Sequence, residues 1–302
     1  MIASSHILTP DTRPIDWRQP INWADPLNDG LVSWWMAIPN HTAGTSTWRD
    51  LCGRNDGTLT NFSSVDTAWK TRSQDGGLGG ALEFDGGSRS VEAADNSSPV
   101  STDSVSACAW VWITASDSVW NYVVSQMQSA HSTFRWNLSF STALKLHFNV
   151  FDSTATGSGQ PVNGATVMTA SRWHHVAAVF DNTAQTVAVY LDAVADGSAS
   201  ASGGMCATAG VPYRLGKLSF STAQTLNGLL ADVRCWDRAL TADEIQSYYD
   251  LSRRYYPGLL NRPSRRSVFA PSTGTTITPA TLSISAALQG SPPVSSRTIE
   301  VT

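Results

Sequence analysis

Glutamates, which could act in acid–base catalysis, are scarce in this chain. It has only four glutamates, and these are Glu83, Glu92, Glu244 and Glu300. A retaining glycoside hydrolase needs two carboxyl groups about 5 Å apart. No Glu-x-Asp-x-Glu run is present to supply such a pair from one strand. We therefore expect no hydrolase activity, with an Asp–Asp pair as the alternative that the sequence leaves open.

Side chains that could hold a sugar are concentrated in residues 114–137. Sugar binding uses exposed aromatic faces beside amide or carboxylate groups in a groove. The ligand-binding candidates in this segment are Trp120, Asn121, Tyr122 and His131. Apolar residues alternate through positions 134, 136, 138 and 140, which predicts that Trp136 is a core residue. Trp120 is either a stacking platform or a packing residue.

Nucleophilic catalysis has little support. The chain contains neither a Gly-x-Ser-x-Gly elbow nor a His-Glu-x-x-His metal helix. His174 and His175 follow Trp173 at the start of a strand pattern. We expect both histidines to pack and to form hydrogen bonds, and a ligand-binding or pH-sensing role is the alternative.

The cysteines suggest neither a zinc site nor a particular disulfide. None of them has the short paired spacing of zinc ligands, and four cysteines allow three pairings. They are Cys52, Cys108, Cys206 and Cys235. Cys108 and Cys235 lie in strand patterns, where a free thiol packs as a small apolar group. The sequence favours four reduced thiols.

The elements that would position these residues are mainly strands. Residues 172–181, 187–197 and 226–236 alternate apolar and polar side chains, and Asp or Gly turn signals separate the three runs. Half-buried antiparallel strands have this pattern. Residues 30–240 as a whole predict about 12 to 14 strands.

One helix is predicted, and it follows the strands. Thr241 is an N-cap candidate, and Glu244 three residues later completes a capping box. Pro257 and Gly258 then stop the helix. Its predicted apolar face consists of Ile245, Tyr248, Tyr249 and Leu251.

Blocks in chain order resemble a laminin-G-like (concanavalin A-like lectin/glucanase) jelly roll. Besides the three runs already described, they are Gly30–Trp35, Asp50–Leu59, Gly80–Ala93 and Val105–Trp112. The resemblance covers roughly residues 30–252. It implies an all-β, two-sheet antiparallel jelly-roll sandwich with a short C-terminal helix and extended terminal arms. Lectins, adhesins, enzymes and structural modules share this sandwich, so the fold alone does not assign a function.

The same resemblance implies a calcium site. In related sandwiches, the Asp before a Val-Arg-aromatic strand is a calcium ligand, and Asp232 matches that position. Asp85 and a backbone carbonyl near Gly30 would complete the site, since calcium prefers carboxylate and carbonyl oxygens. The alternative is that Asp232 accepts hydrogen bonds from turn amides without a metal.

The ends of the chain differ from its body. Residues 1–29 contain four prolines and predict an extended arm. Residues 1–252 have a net charge of −9, whereas residues 253–302 have six Arg, one Glu and a net charge of +5. Residues 278–288 alternate like a strand, which either pairs on another chain or belongs to a disordered tail. We expect domains at 1–29, 30–252 and 253–302, with both ends contacting other subunits.

The sequence does not predict nucleic-acid binding, a membrane span or a signal peptide. The acidic body and few basic residues argue against nucleic-acid binding. No apolar run reaches the length of a membrane span, and the first residues do not predict a signal peptide.

These features favour a non-catalytic, lectin-like surface module of a larger assembly. We expect a phage virion decoration or fibre-associated protein that binds glycans or a host surface. The alternative is a leaderless-secreted, calcium-dependent carbohydrate-binding or adhesion protein. A glycoside hydrolase is the third hypothesis.

Overall fold

The computed structural model describes residues 18–38, 45–70, 80–95, 104–115, 119–128, 133–152, 159–218 and 224–253. Within these ranges the chain forms 16 strands, two α-helices and one short 3-10 helix. The helices are the 3-10 helix Pro26–Asn28, α1 (Val65–Ala68) and α2 (Ala242–Ser252).

The strands are short to medium in length. In the first half of the chain they are β1 (Leu31–Trp35), β2 (Thr47–Trp48), β3 (Gly57–Thr60), β4 (Trp69–Lys70), β5 (Ala81–Asp85), β6 (Ser90–Ala93), β7 (Ser104–Ile113) and β8 (Asn121–Gln126). In the second half they are β9 (Trp136–Phe140), β10 (Lys145–Phe151), β11 (Gly159–Val167), β12 (Trp173–Asp181), β13 (Thr186–Leu191), β14 (Val194–Ser200), β15 (Tyr213–Leu215) and β16 (Asn227–Trp236).

The strands form two eight-stranded antiparallel sheets. The first has the order β14-β13-β12-β7-β16-β5-β4, with β1 also paired to β16. The second has the order β11-β10-β9-β8-β15-β6-β3-β2. The predicted two-sheet jelly-roll sandwich is therefore confirmed. The strand number exceeds the predicted 12 to 14, because β2, β4 and β15 are too short to produce a recognisable alternation.

The main hydrophobic core lies between the two sheets. Alternation along β12 shows how it forms, since Val176, Ala178 and Phe180 are buried in this core. Ala177 and Val179 point the other way and are also buried, in a second cluster. The central strands of the first sheet are thus covered on both faces. Trp136 is fully buried in the main core, as predicted.

Helix α2 covers the outer face of the first sheet. Its N-terminus has the predicted capping box, in which Thr241 Oγ1 accepts the Glu244 N–H at 3.2 Å and the Glu244 carboxylate accepts the Thr241 N–H at 2.8 Å. Ile245 and Tyr248 are buried against the sheet, and Ile21 packs in the same cluster. The apolar face of the helix is therefore satisfied within the domain.

The terminal regions of the predicted domain division are described only in part. Residues 18–29 lie against the sandwich, whereas residues 1–17 and 254–302, including the strand-like segment 278–288, fall outside the described residues. None of the helices in the described ranges has the length and apolar character needed to cross a membrane. The four thiols are free, which agrees with the reduced state that the sequence favours.

Gly228 marks a point where two strands touch. Its φ is +157°, and a Cβ there would lie 1.8 Å from the Trp112 carbonyl oxygen. We predict that Gly228→Ala lowers the free energy of unfolding by about 3 kcal/mol or more, because a backbone atom cannot move aside. Urea denaturation would measure it.

Gly203→Ala is the matched control for this substitution. Gly203 has a φ of +88° and no atom within 4 Å of an added Cβ. Only the backbone conformation is penalised there, at about 1 kcal/mol. Equal losses in the two variants would contradict the steric explanation.

Candidate functional site

A row of side chains crosses the second sheet at right angles to its strands. Each member pairs directly with the next one on the neighbouring strand. The row consists of Thr47, Thr58, Glu92, Arg214, Ser125, Asn137, Asn149 and Pro161. Residues next to them in sequence, such as Leu59 and Val91, are buried in the main core, so the row faces outward. Seven of its eight side chains are polar, which makes this face rich in hydrogen-bonding groups.

The middle of the row is covered. Ser125 and Asn137 are buried. Ser125 Oγ donates to the Lys217 carbonyl at 3.3 Å, and Asn137 Nδ2 lies 3.4 Å from the Met127 sulfur. Met127 packs with Leu218 in a small apolar cluster. A ligand can therefore reach the row only towards its two ends.

A cleft of about 760 Å³ opens at the end formed by β3 and β6. This volume lies in the range of small-molecule sites. Its lining includes the acidic residues Asp56, Glu92 and Asp95, together with Thr58, Thr60 and Gln128. The Asp95 side chain is only 2% exposed, so the carboxylates open to the cleft are those of Asp56 and Glu92. Ala94, Gly210 and Pro212 complete the lining. No lysine or arginine side chain belongs to the lining that the described residues form.

Each of the three acidic side chains is ion-paired with an arginine that is not a lining residue. The three ion pairs are Asp56–Arg49, Glu92–Arg214 (2.6 Å) and Asp95–Arg135 (3.6 Å). Asp56 also accepts the Asp50 N–H at 2.9 Å, and Asp95 accepts from Gln126 Nε2 at 3.2 Å. These contacts fix the exposed carboxylates of Asp56 and Glu92 in place, so they are preorganised as hydrogen-bond acceptors.

The two glutamates of the sandwich do not form a catalytic pair. Glu92 lies on β6 in the second sheet, whereas Glu83 lies on β5 in the first sheet. Glu83 is ion-paired with Lys70 at 2.9 Å and with Arg89 at 3.6 Å. The two side chains point away from the main core on different sheets, which does not match the close spacing of glycosidase carboxylates.

The predicted sugar-binding residues have different roles in the structure. Asn121 is fully buried, and its Oδ1 accepts the Asn227 N–H at 2.9 Å, which ties the second sheet to the first. Tyr122 is 8% exposed, and burial raises its pKa to about 12. The prediction that Asn121 and Tyr122 bind a sugar is corrected, because both side chains are buried in the sandwich. His131 lies outside the described residues.

Trp120 is the remaining member of that set, and it is half-buried at the other end of the polar row. Its ring meets His147 edge to face, with centroids 4.8 Å apart. His147 Nδ1 lies 2.9 Å from Asn163 Oδ1, and burial lowers the pKa of this histidine. Trp120 therefore packs with part of its surface accessible, and a stacking role stays a prediction.

The predicted calcium ligands do not come together. The three candidates lie at separate points along β16. Asp85 lies opposite Asn227 of this strand, and Asp232 lies five residues beyond Asn227. The Gly30 carbonyl accepts the N–H of Asp237, which lies five residues beyond Asp232. Five residues of a strand span about 16 Å. Among the residues that the structure describes, no three His, Cys, Asp or Glu side chains are grouped as a metal site requires. This ligand set is corrected, and calcium binding elsewhere stays a prediction.

Asp232 instead belongs to a buried ion pair. Its carboxylate accepts from Arg234 Nε at 2.8 Å and Nη2 at 3.1 Å, and from Trp34 Nε1 at 2.7 Å. The Arg234 guanidinium lies 3.9 Å from the Trp34 ring centroid and 4.8 Å from that of Tyr248. The three donors are all side-chain groups, whereas the alternative expectation named turn amides.

A β-bulge positions this ion pair. Between Ala231 and Arg234, two residues of β16 face the single residue Ala109 of β7. Leu230 and Val233 both lie in the main core. The extra residue thus turns Asp232 outward towards Trp34, with a φ of +49° that Asp tolerates better than most residues.

Both histidines pack as predicted, but only His174 forms the predicted side-chain hydrogen bonds, since the buried Nδ1 of His175 has no hydrogen-bond partner among the described residues. His174 Nδ1 lies 2.8 Å from Asp192 Oδ2, and its Nε2 lies 3.2 Å from the Thr169 carbonyl. His175 is buried beside the rings of Trp110 and Tyr249, with centroids 5.3 and 5.8 Å away. Burial lowers the pKa of His175 to about 4. It is therefore neutral near pH 7.

Sequence comparison agrees with this architecture. The model of the concanavalin A-like lectin/glucanases superfamily matches residues 85–246. The chain belongs to this superfamily. No curated protein sequence matches the chain significantly.

Solved structures with the same fold come from enzymes and binding domains. A sialidase from Trypanosoma rangeli aligns with a TM-score of 0.52 and 14% identity, over 75% of this chain and 33% of the sialidase chain. The binding domain of botulinum neurotoxin DC, in complex with SialylT, aligns with 0.53 and 12%, over 74% and 52%. Domain 4 of an arabinanase from Geobacillus stearothermophilus, in complex with arabinotriose, aligns with 0.52 and 16%, over 72% and 98%.

These likenesses establish the fold and not the function. The chain spans about a third of the sialidase and half of the neurotoxin binding domain, but nearly all of the arabinanase domain.

The sequence did not identify the cleft residues as a site. The alternation at 57–60 and 90–93 predicts that Thr58, Thr60 and Glu92 face outward. Nothing local, however, indicates that the two strands are neighbours.

The buried ion pair gives a direct test of how Asp232 acts. Asp232→Asn keeps the size and tolerates the positive φ, but it leaves the Arg234 charge buried without its counterion. We predict a loss of about 3 to 5 kcal/mol in the free energy of unfolding, measured by urea denaturation.

Asp250→Asn is the control. Asp250 pairs with Arg253 at 2.9 Å on α2, and both side chains are about two-fifths exposed. An exposed pair of this kind contributes less than about 1 kcal/mol. If the two substitutions cost the same, the ion pair of Asp232 has no special structural role.

Proposed function

We propose that the chain is a non-catalytic glycan-binding module whose ligand occupies the cleft over the outer face of β3 and β6. The observation that carries the proposal is the lining of this cleft by fixed carboxylate, hydroxyl and amide groups. Sugar hydroxyls both donate and accept hydrogen bonds, so such a wall can match several of them at once. Charge-assisted bonds to the carboxylates would be the strongest contacts.

The structural neighbours support the same class of ligand. The arabinanase domain, of which this chain spans nearly the full length, was solved with arabinotriose. The neurotoxin binding domain was solved with SialylT. Both are domains of this sandwich fold that carry a bound ligand, although identities of 16% and 12% establish only the fold.

The arrangement of carboxylates supports a role without catalysis. Glycoside hydrolysis needs one carboxyl group that donates a proton and a second one close to it. In the cleft, Asp56 and Glu92 are each ion-paired with an arginine. Glu83 lies on the other sheet. These groups are suited to accepting hydrogen bonds from a bound sugar.

The charge of the lining supports a neutral ligand. Two accessible carboxylates, those of Asp56 and Glu92, contribute to the wall, and no basic side chain belongs to the lining that the described residues form. An anionic sugar would place its own carboxylate near Asp56 and Glu92, where like charges repel. A neutral oligosaccharide such as an arabino-oligosaccharide would avoid this cost, so we propose that the cleft prefers neutral over sialylated glycans.

We predict that Glu92→Gln weakens the binding of a neutral oligosaccharide at least about tenfold, because a charge-assisted hydrogen bond is lost. A glycan array would identify the ligand, and isothermal titration calorimetry would measure the change in Kd. The array should show neutral glycans bound in preference to sialylated ones.

Glu83→Gln is the matched control for this measurement. Glu83 is also an ion-paired strand glutamate of similar exposure, but it lies on the opposite sheet. Its substitution should leave Kd unchanged. Equal weakening in both variants, or binding that neither variant alters, would contradict a site in the cleft.

We further propose that the module works on the surface of a larger assembly, such as a phage virion. The proline-rich residues 1–29 and the basic residues 253–302 support this proposal, since both differ in composition from the sandwich. The expected result is that purified particles contain the chain and that antibodies label it on their surface. If the chain is absent from any particle and is found free outside cells, the secreted adhesion alternative takes its place.

A further inference from the structure

Trp23 is unusual among the tryptophans of the described chain. It is 51% exposed, whereas the other described tryptophans are buried or half-buried. An exposed indole with most of its area available is a typical anchor of protein interfaces. A single exposed apolar residue is not by itself evidence of an interface, so the geometry around it decides the matter.

The turn that carries Trp23 is held by its own hydrogen bonds. Asn22 accepts through its carbonyl from Asp25 N–H at 3.1 Å and from Asn28 Nδ2 at 3.0 Å. Asp25 caps the following 3-10 helix, with its Oδ1 accepting the Leu27 N–H at 3.0 Å. The turn is therefore ordered on both sides of Trp23, and little conformational entropy is lost when a partner binds.

The turn is also fixed to the sandwich. The Leu27 carbonyl accepts from Trp236 Nε1 at 3.1 Å and from the Tyr248 hydroxyl. Arg238 donates to the Asp29 carbonyl at 2.7 Å and to the Pro26 carbonyl at 3.1 Å. Helix α2, the end of β16 and the turn thus form one rigid surface that presents Trp23.

This surface, which we call the Trp23 face, is acidic. Asp29, Asp237 and Asp243 are exposed on it, and Asp25 is half-buried. Partial burial raises the pKa of Asp237 and so does the neighbouring Asp29 charge, whereas Arg54 and Arg238 lower it. Among the bases, Arg238 and Arg253 are paired with Glu244 and Asp250, and Arg18 and Arg54 are exposed. These acidic groups were not part of the proposed glycan site.

We propose that the Trp23 face is the contact surface for a second copy of this chain, with Trp23 as its apolar anchor. The chain itself supplies the complementary charge. Residues 253–302 have a net charge of +5, against −9 for residues 1–252. Two acidic faces would repel each other, so the contact is between the acidic face of one copy and basic residues 253–302 of the next.

The path of the chain supports this occupant. Ile21 packs in the cluster beneath α2, and α2 ends at Ser252 on the same outer face of the first sheet. The chain therefore enters and leaves the described sandwich on the face that carries Trp23. In sequence, the basic residues 253–302 directly follow α2, which forms part of the contact surface. The glycan cleft lies on the opposite sheet, so this inference does not depend on glycan binding.

Sedimentation velocity of the full chain over a wide concentration range tests the proposal. We expect self-association that weakens as salt is added, since charged surfaces are screened. Trp23→Ala should weaken it at least about tenfold. The full-chain charge reversal Arg262→Glu, Arg265→Glu and Arg266→Glu should weaken it by a similar factor.

Trp120→Ala is the control, because Trp120 lies on the second sheet, and it should leave the association constant unchanged. A full chain that stays monomeric at every concentration would overturn the proposal, and so would association that Trp23→Ala does not alter. Glycan titration of the same samples separates this outcome from failure of the cleft proposal. A monomer that binds a neutral oligosaccharide would contradict only the self-association.

Discussion

The buried ion pair of Asp232 and Arg234 is the interaction on which the outer face of the first sheet depends. It lies in the bulge of β16, between the rings of Trp34 on β1 and Tyr248 on α2. Taking two charges out of water is costly, and the cost is offset only when both partners and their hydrogen bonds are present. The pair therefore couples β16, β1 and α2, and removing one member leaves a charge buried under the helix.

Coverage of one sheet determines where recognition can occur. Helix α2 and residues 18–38 bury much of the outer face of the first sheet. The second sheet keeps a polar outer row, covered only in its middle around Ser125 and Asn137. Its open end near Glu92 has space, fixed acceptors and no basic lining among the described residues. The sandwich thus has two distinct surfaces, a polar cleft on one sheet and the acidic Trp23 face on the other.

Local patterns predicted the elements of the fold but not the site. Alternation along β12 and the capping box of Thr241 and Glu244 depend on neighbours in sequence, so both could be inferred. The cleft combines residues near positions 56–60, 92–95, 128 and 210–212, and their proximity depends on strand order. Asp232 was predicted to be a calcium ligand, but the bulge places it beside Arg234. One extra residue in β16 changes which face of the sheet a side chain occupies, and the local sequence does not indicate where such a residue lies.

If the cleft is the glycan site, a neutral oligosaccharide binds the outer face of the second sheet and leaves the first sheet unaffected. Titration of the isotope-labelled chain, followed by two-dimensional NMR of its backbone amides, tests this most directly. We expect the signals of Thr58, Thr60, Glu92 and their neighbours to shift with ligand, while those of α2 and the turn at Trp23 do not. Shifts confined to α2 or to the turn, or none with any neutral glycan, would contradict it.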